Sequence, residues 1–221
     1  MSLLAAALFL TTGFQAAPMT ICIDPGHPSE VGRGTQGEHV SEIHVAWEVG
    51  KRLEKLLLAK RFKVVMTKKS EMEMVKNRER ATIANECHAD LMVRLHCDAA
   101  DGSGFTTYYP DRQGISGGFT GPEPELIQRI APIAKRFHDQ LKRGLKGFLR
   151  DNGNHSDIKT AVGSRQGALT GSIFSKVPVV LVEMCVLMNP GDEEKVSTSE
   201  GLDRLAKSLA DACVKSLTTD K

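Results

Sequence analysis

The chain has 221 residues, of which 41% are hydrophobic and 25% charged, a composition that excludes disordered and collagen-like proteins. Its length suits one domain, or at most two small ones. The 29 Lys and Arg residues nearly balance the 27 Asp and Glu residues, so no basic surface of the kind that binds nucleic acid is expected.

The chain begins with an uncharged apolar run at residues 3–10, followed by small residues up to Ala17. About eight residues are too few to span a bilayer, but the pattern is typical of a secretory signal peptide. An apolar N-terminal helix is the alternative. We therefore expect residues 1–17 to be a signal peptide and residues 18–221 to be exported, to the periplasm or the cell exterior. No later stretch has the length and apolar character of a membrane span.

Strand and helix patterns alternate along the rest of the chain. Apolar runs predict strands at residues 20–23, 62–66, 91–95, 105–109 and 177–182. Apolar residues at helical spacing predict helices at 41–60, 74–88, 123–145 and 199–217, with Ser41 as the first N-cap and a bend at Pro132. The glycine-rich stretch 101–121 around the fourth strand and the polar stretch 148–171 are predicted to be loops.

This alternation defines the expected fold class. Several of the strands are apolar on both faces, which is typical of a parallel sheet that is covered on both sides. The sequence therefore predicts a single α/β domain, with a twisted, mostly parallel sheet flanked by helices on both faces.

The five cysteines are scattered and include no C-x-x-C pair. This spacing argues against a zinc site built from thiolates. Most of the cysteines lie in apolar stretches and are expected to be small buried side chains. An odd number in an exported protein leaves at least one thiol free.

Three predicted strands run into side chains that can bind a metal or move a proton. His27 follows the first strand, His96 the third and Glu183 the last. The carboxyl ends of parallel strands share one edge of the sheet, where ligands bind. Structural histidines and a buried ion-paired carboxylate are the alternatives. Arg94 lies on the same strand face as His96 and either anchors a substrate carboxylate or pairs with a buried acid.

Glu42 lies in the first turn of its helix, on the same side as the apolar residues Val45 and Val49. One interpretation is a favourable interaction with the helix N-terminus. The other is a metal ligand, because two histidines and one carboxylate are the ligands of many catalytic zinc sites, which keep a fourth position open. Glu38 and His39 are the alternatives for the third ligand.

With these residues in view, the chain resembles the zinc-dependent N-acetylmuramoyl-L-alanine amidases of bacterial cell-wall turnover. Residues 23–27 (IDPGH) are similar to that family's first-ligand motif, and residues 83–96 to its second-histidine motif. Residues 177–190 are similar to its catalytic-glutamate motif, and Glu42 falls on its glutamate-ligand helix. The resemblance covers residues 19–217 and includes four motifs in the expected order.

The resemblance implies a six-stranded sheet, one zinc ion on His27, Glu42 and His96, and Glu183 as the acid and base. It also implies hydrolysis of the amide between N-acetylmuramic acid and L-alanine, in peptidoglycan or muropeptides. Residues 18–221 would then be the catalytic domain, and whether a protein activator is needed stays open. The alternatives are a zinc peptidase that cuts another amide and a non-catalytic peptidoglycan-binding module.

Two departures from the family pattern concern the cleft. The chain has Pro28-Ser29 where the family usually has two glycines. The stretch 148–170 is longer than the usual connection, so its effect on the shape or gating of the cleft is open.

Overall fold

A computed structural model describes residues 17–218 of the chain. The predicted signal peptide lies outside these residues, apart from Ala17, and stays a prediction. Within residues 17–218, none of the helices combines the length and the apolar character that a membrane crossing requires.

Residues 17–218 contain eight strands, seven α-helices and one 3-10 turn at Asp157–Lys159. The strands are β1 (Thr20–Pro25), β2 (Lys63–Met66), β3 (Leu91–Asp98), β4 (Phe105–Tyr109), β5 (Gly114–Ser116), β6 (Phe119–Gly121), β7 (Asp151–Ser156) and β8 (Val179–Val186). The helices are α1 (Glu42–Ala59), α2 (Asn77–Glu86), α3 (Pro124–Leu145), α4 (Gly163–Gln166), α5 (Thr170–Ile173), α6 (Pro190–Val196) and α7 (Ser199–Leu217).

Six strands form one sheet in the order β2-β1-β3-β8-β4-β7. The strands β2, β1, β3 and β8 are parallel to one another. Strand β4 runs antiparallel to β8, and β7 runs parallel to β4. The predicted fold class, a mostly parallel sheet in one α/β domain, is confirmed.

Helices cover both faces of this sheet. Helix α1 begins after Ser41, whose hydroxyl accepts a hydrogen bond from the His44 amide at 3.2 Å, and Gly50 packs on Ile23 of β1. Helix α2 lies on the opposite face, where Arg80 contacts Asp24. Because adjacent residues of a strand point to opposite faces, the Ile23-Asp24 pair holds α1 on one side and α2 on the other.

The two segments that were predicted to be loops contain further strands, so these two predictions are wrong in part. Strands β5 and β6 pair around Gly117 and Gly118, which have φ values of 56° and 78°. Strand β7 (DNGNHS) is an edge strand that pairs only with β4. An edge strand with polar residues on both faces has no apolar alternation, so the pattern gives no sign of it. Helix α3 continues through Pro132.

Candidate metal centre and active site

The parallel register of the central strands brings the predicted site residues to one edge of the sheet. Pro25 is paired with Leu95, and His96 is paired with Glu183. His27 lies two residues beyond the end of β1, so it comes to the same edge as His96 and Glu183. Glu42 reaches this edge from the first turn of α1.

The local backbone fixes the orientation of the His27 ring. His27 has a φ of 48°, in the left-handed region, and its Nδ1 lies 3.0 Å from the Gly32 carbonyl oxygen. A carbonyl can only accept, so Nδ1 carries the proton and donates it. The lone pair of His27 Nε2 is therefore free, and this atom lies 3.6 Å from Glu42 Oε1. A metal-binding histidine is commonly oriented in this way.

His96 meets the same carboxylate from β3. Its Nδ1 lies 2.9 Å from Glu42 Oε1, and its ring stands edge-on to that of His27, with centroids 5.2 Å apart. Burial lowers the pKa of His96 below its usual value, although Glu42 opposes this shift. The imidazole is therefore neutral at pH 7, which is the form that binds metal ions.

Glu42 is 2% exposed and receives four contacts. Its Oε1 faces both histidines and accepts a hydrogen bond from the Cys97 amide at 3.1 Å. Its Oε2 accepts one from the Thr35 amide at 2.7 Å. Burial raises the pKa of this carboxyl, but the hydrogen bond from His96 and the two imidazoles outweigh burial and hold the pKa below its usual value. Glu42 is thus a buried and ionised carboxylate.

The ligand atoms of His27, Glu42 and His96 all lie within 4.8 Å of one another. Two imidazole nitrogens and one carboxylate oxygen are a suitable set for zinc with one position open. The Nε2 atom of His96 is buried and has no hydrogen-bond partner within residues 17–218, which is costly unless another group satisfies it. The residues present therefore fit a zinc ion.

The two alternative ligands are held elsewhere. The backbone amides of His39 and Val40 donate hydrogen bonds to Glu193 Oε1 at 2.6 and 3.0 Å, which ties this loop to α6. Neither Glu38 nor His39 belongs to the cluster that His27, Glu42 and His96 form among the described residues. Proximity to the two histidines therefore favours Glu42 among the three candidates, and its role as a ligand stays a prediction.

Glu183 lies on β8 beside His96, and its Oε2 atom is buried without a hydrogen-bond partner among the described residues. Burial raises the pKa of Glu183 well above its usual range, and the charges of Glu42 and Asp98 add to this rise. A buried carboxyl with a strongly raised pKa in a cleft is a typical acid or base of an active site.

A cavity of about 200 Å³ opens in front of these residues. His27, His96 and Glu183 contribute to its lining. The segment 160–170 forms another part of its wall. The residues of this wall are Thr160, Ala161, Val162, Leu169 and Thr170.

The buried carboxyl of Asp157 organises this wall. Its Oδ2 accepts a hydrogen bond from the Leu169 amide at 3.0 Å, and its backbone carbonyl accepts one from the Thr160 hydroxyl at 2.7 Å. Its Oδ1 has no partner among the described residues. Burial raises the pKa of Asp157 to about 6, although the charge of Arg94 opposes this rise. No sequence pattern indicates this residue, because it lies among other polar residues in a stretch without apolar periodicity.

Arg94 pairs with a buried acid, which is one of the two roles left open by the sequence. Its Nε donates to Asp24 Oδ2 at 2.8 Å, and its Nη2 donates to Asn77 Oδ1 at 2.6 Å. The side chain also lines the cavity beside Glu183. A contact of Arg94 with substrate therefore stays a prediction.

Arg80 is a structural residue of the site that the sequence pattern did not identify. It is 1% exposed and donates to Asp24 Oδ1 at 2.6 Å. It also donates to the carbonyl oxygens of Pro25 and Pro28 at 2.6 and 2.9 Å. These two residues flank the Gly26-His27 dipeptide, so Arg80 fixes the backbone on both sides of the first histidine.

Lys68 stabilises the same turn through two further hydrogen bonds. It is 1% exposed and donates to the carbonyl oxygens of His27 and Glu71 at 2.6 and 2.8 Å. Burial and the nearby Arg80 charge lower the pKa of Lys68 to about 8. Asp24 is held ionised in spite of its burial, because the charges of Arg80 and Arg94 lower its pKa below its usual value.

Comparison with known proteins agrees with this geometry. Residues 21–215 match the family model described as N-acetylmuramoyl-L-alanine amidase. The chain is 28% identical over 200 residues to N-acetylmuramoyl-L-alanine amidase LytC of Bacillus subtilis, a match that covers 88% of this chain and 35% of LytC. The chain thus spans about a third of the length of this curated relative.

Solved structures show the same fold. N-acetylmuramoyl-L-alanine amidase AmiC2 of Nostoc punctiforme matches with a TM-score of 0.71 and 19% identity, over 90% of this chain and 97% of that one. Ami1 from Mycobacterium smegmatis matches with a TM-score of 0.71 and 22% identity, over 91% of this chain and 97% of that one.

We expect Arg80→Met to lower the free energy of unfolding by about 3–5 kcal/mol, because it removes one charge of a buried pair and leaves Asp24 partly uncompensated. Urea denaturation measures this loss. The matched control is Arg129→Met on the exposed surface of α3, which should change the free energy of unfolding by no more than about 0.5 kcal/mol. Similar losses in the two variants would contradict the role of Arg80.

Proposed function

Because the chain belongs to the N-acetylmuramoyl-L-alanine amidase family, we propose that it hydrolyses the amide between N-acetylmuramic acid and L-alanine of peptidoglycan in a zinc-dependent reaction. The observation that carries the proposal is the cluster of His27, Glu42 and His96, whose two histidines line one cavity together with Glu183. The substrate is peptidoglycan or a muropeptide released from it.

His27, Glu42 and His96 would hold the zinc ion. When bound, zinc supplies Lewis-acid polarisation of the amide carbonyl and acidification of the attacking water. The roles of the three residues follow from their contacts. The Gly32 carbonyl orients His27, and the Thr35 and Cys97 amides hold the Glu42 carboxylate in place. These contacts fix the side chains in advance, so metal binding would cost little side-chain entropy.

Glu183 would move the proton. Its carboxylate accepts a proton from the attacking water and donates it to the amine that leaves. One cause of its raised pKa is the negative charge of Glu42. This contribution to the rise would be smaller with a cation held by Glu42.

Arg94 would provide the positive charge for recognition. Its guanidinium lines the cavity next to Glu183 while Asp24 and Asn77 hold it rigidly. A stem peptide carries carboxylates, and an arginine can bind a carboxylate through two parallel hydrogen bonds. The wall at 160–170 would bound the other side of the substrate.

Export belongs to the same proposal. Peptidoglycan lies outside the cytoplasmic membrane, so residues 1–17 would direct the chain to its substrate and be removed there. The mature protein would work in the periplasm, the cell wall or the medium.

The metal assignment predicts that purified protein contains one zinc ion per chain. His96→Ala should lose most of it, because one of three ligands is removed. The matched control is His44→Ala. The His44 side chain pairs with Glu71 and not with the candidate ligands, so this variant should keep its full zinc content. Elemental analysis measures both, and a fully loaded His96→Ala protein would exclude His96 as a ligand.

The proton-transfer assignment predicts that Glu183→Gln keeps its zinc and still binds peptidoglycan but loses about 100-fold or more in kcat. Glutamine has the shape of glutamate but cannot accept a proton. The control is the same replacement at the exposed Glu86, which should turn over like the wild type. Release of peptides from peptidoglycan gives the rate, and sedimentation with the polymer gives the binding. Unchanged turnover in Glu183→Gln would exclude the proposed proton transfer.

A further inference from the structure

Two cysteines that are far apart in the sequence lie next to each other behind the site. Cys22 is in the middle of β1, two residues before Asp24, so both side chains point to the same face of the sheet. Asp24 contacts Arg80 of α2 on this face. Cys87 caps the C-terminal end of the same helix. Helix α2 contacts β1 through Arg80 and ends at Cys87. Its C-terminal end therefore lies near the part of β1 that contains Cys22.

Hydrogen bonds fix this end of α2 against the start of β1. The Asp90 amide donates to the Thr20 carbonyl at 2.8 Å, and the Thr20 amide donates to Asp90 Oδ2 at 2.7 Å. Cys87 packs against the buried cluster that contains Cys22, its thiol donates a hydrogen bond to the Ala84 carbonyl at 3.3 Å, and both thiols are free. Cys22 is completely buried, whereas Cys87 is half-buried. An oxidant can therefore reach the pair only through Cys87.

The two thiols differ in reactivity. The interaction with Cys22 lowers the pKa of the Cys87 thiol to about 7; burial opposes this shift, and the Ala89 amide assists it. The same interaction, together with burial, raises the pKa of Cys22 above its usual value. Cys87 is thus the thiol of the pair that ionises more readily near neutral pH, and a thiolate is the nucleophile in disulfide exchange.

We propose that Cys22 and Cys87 form a thiol–disulfide exchange site, at which a low-molecular-weight disulfide converts the two thiols into an intramolecular disulfide. The Cys87 thiolate attacks one sulfur of the oxidant, forms a mixed disulfide and releases the first half of the oxidant as a thiolate, which takes up a proton. Cys22 then loses its proton to solvent, displaces the second half and closes the bond. Two protein thiols are oxidised, and one disulfide is reduced to two thiols.

The Cys22–Cys87 pair is distinct from the other cysteines of the described chain. Cys97 and Cys185 also interact with each other, but both are buried, as is Cys213. None of these three offers a half-exposed thiol of lowered pKa. A bond between residues 22 and 87 would join β1, which leads to His27, to α2, which carries Arg80. It would close a long loop of the chain and so stabilise the fold.

The test equilibrates the purified full chain in glutathione buffers of increasing oxidised fraction, followed by alkylation and mass spectrometry of the non-reduced digest. We expect the intact mass to fall by two hydrogen atoms and the peptides of Cys22 and Cys87 to be joined. The oxidised protein should melt about 5–10 °C above the reduced protein. A glutathione adduct on Cys87 that does not resolve, or a joined pair other than Cys22 and Cys87, would overturn the proposal.

Two variants distinguish a disulfide between Cys22 and Cys87 from oxidation at other cysteines. Cys87→Ser should abolish the joined peptides and the difference in Tm between oxidised and reduced protein. It replaces a half-buried side chain, so it should fold. Cys213→Ala removes a thiol outside the pair and should keep both effects. A Tm difference that persists in Cys87→Ser, or one that is lost in Cys213→Ala, would assign the stabilisation to a different bond and contradict the proposal.

Discussion

The buried carboxylate of Glu42 is the interaction on which the site depends. A charged group that is 2% exposed must be compensated, and the compensation comes from three parts of the chain. The Thr35 amide belongs to the loop before α1, the Cys97 amide and His96 to β3, and His27 to the turn after β1. Because one carboxylate makes all these contacts, the protein itself brings the three candidate ligands together.

A second buried carboxylate, that of Asp24, stabilises the backbone around His27. It binds Arg80 of α2 and Arg94 of β3, and it accepts a hydrogen bond from the Thr67 hydroxyl at 2.6 Å. Arg80 then holds the carbonyl groups on both sides of His27. The strand face that carries Asp24 is thus occupied by an ion-pair network, whereas the opposite face packs apolar residues. The network positions the histidine, and it fixes the guanidinium of Arg94 at the cavity.

Part of this arrangement was predictable from the sequence, because it follows from local patterns. Apolar runs that end in His27, His96 and Glu183 indicate a shared sheet edge as soon as the strands are taken to be parallel. Glu42 was ambiguous, since a helix-capping glutamate and a metal ligand occupy the same first-turn position. The structure explains the ambiguity, because Glu42 lies in that turn and also faces both histidines.

Other features depend on contacts between distant residues, and no local pattern reports them. The Asp24–Arg80 pair joins positions that are 56 residues apart, and the Cys22–Cys87 contact is of the same kind. Strand β7 is polar and is held by its pairing with β4, so its sequence has the pattern of a loop. The segment 160–170, which lines the cavity, is held by the buried Asp157, whose surroundings are likewise set by the tertiary structure.

The central claim is that this site cleaves the amide between N-acetylmuramic acid and L-alanine. Mass spectrometry of the products from purified peptidoglycan tests it most directly. The account predicts released stem peptides with a free L-alanine amino group and no new reducing ends on the glycan. Fragments cut within the stem peptide would indicate a peptidase instead. An absence of released peptides from zinc-loaded protein, with binding to the polymer retained, would indicate a binding module and contradict the account.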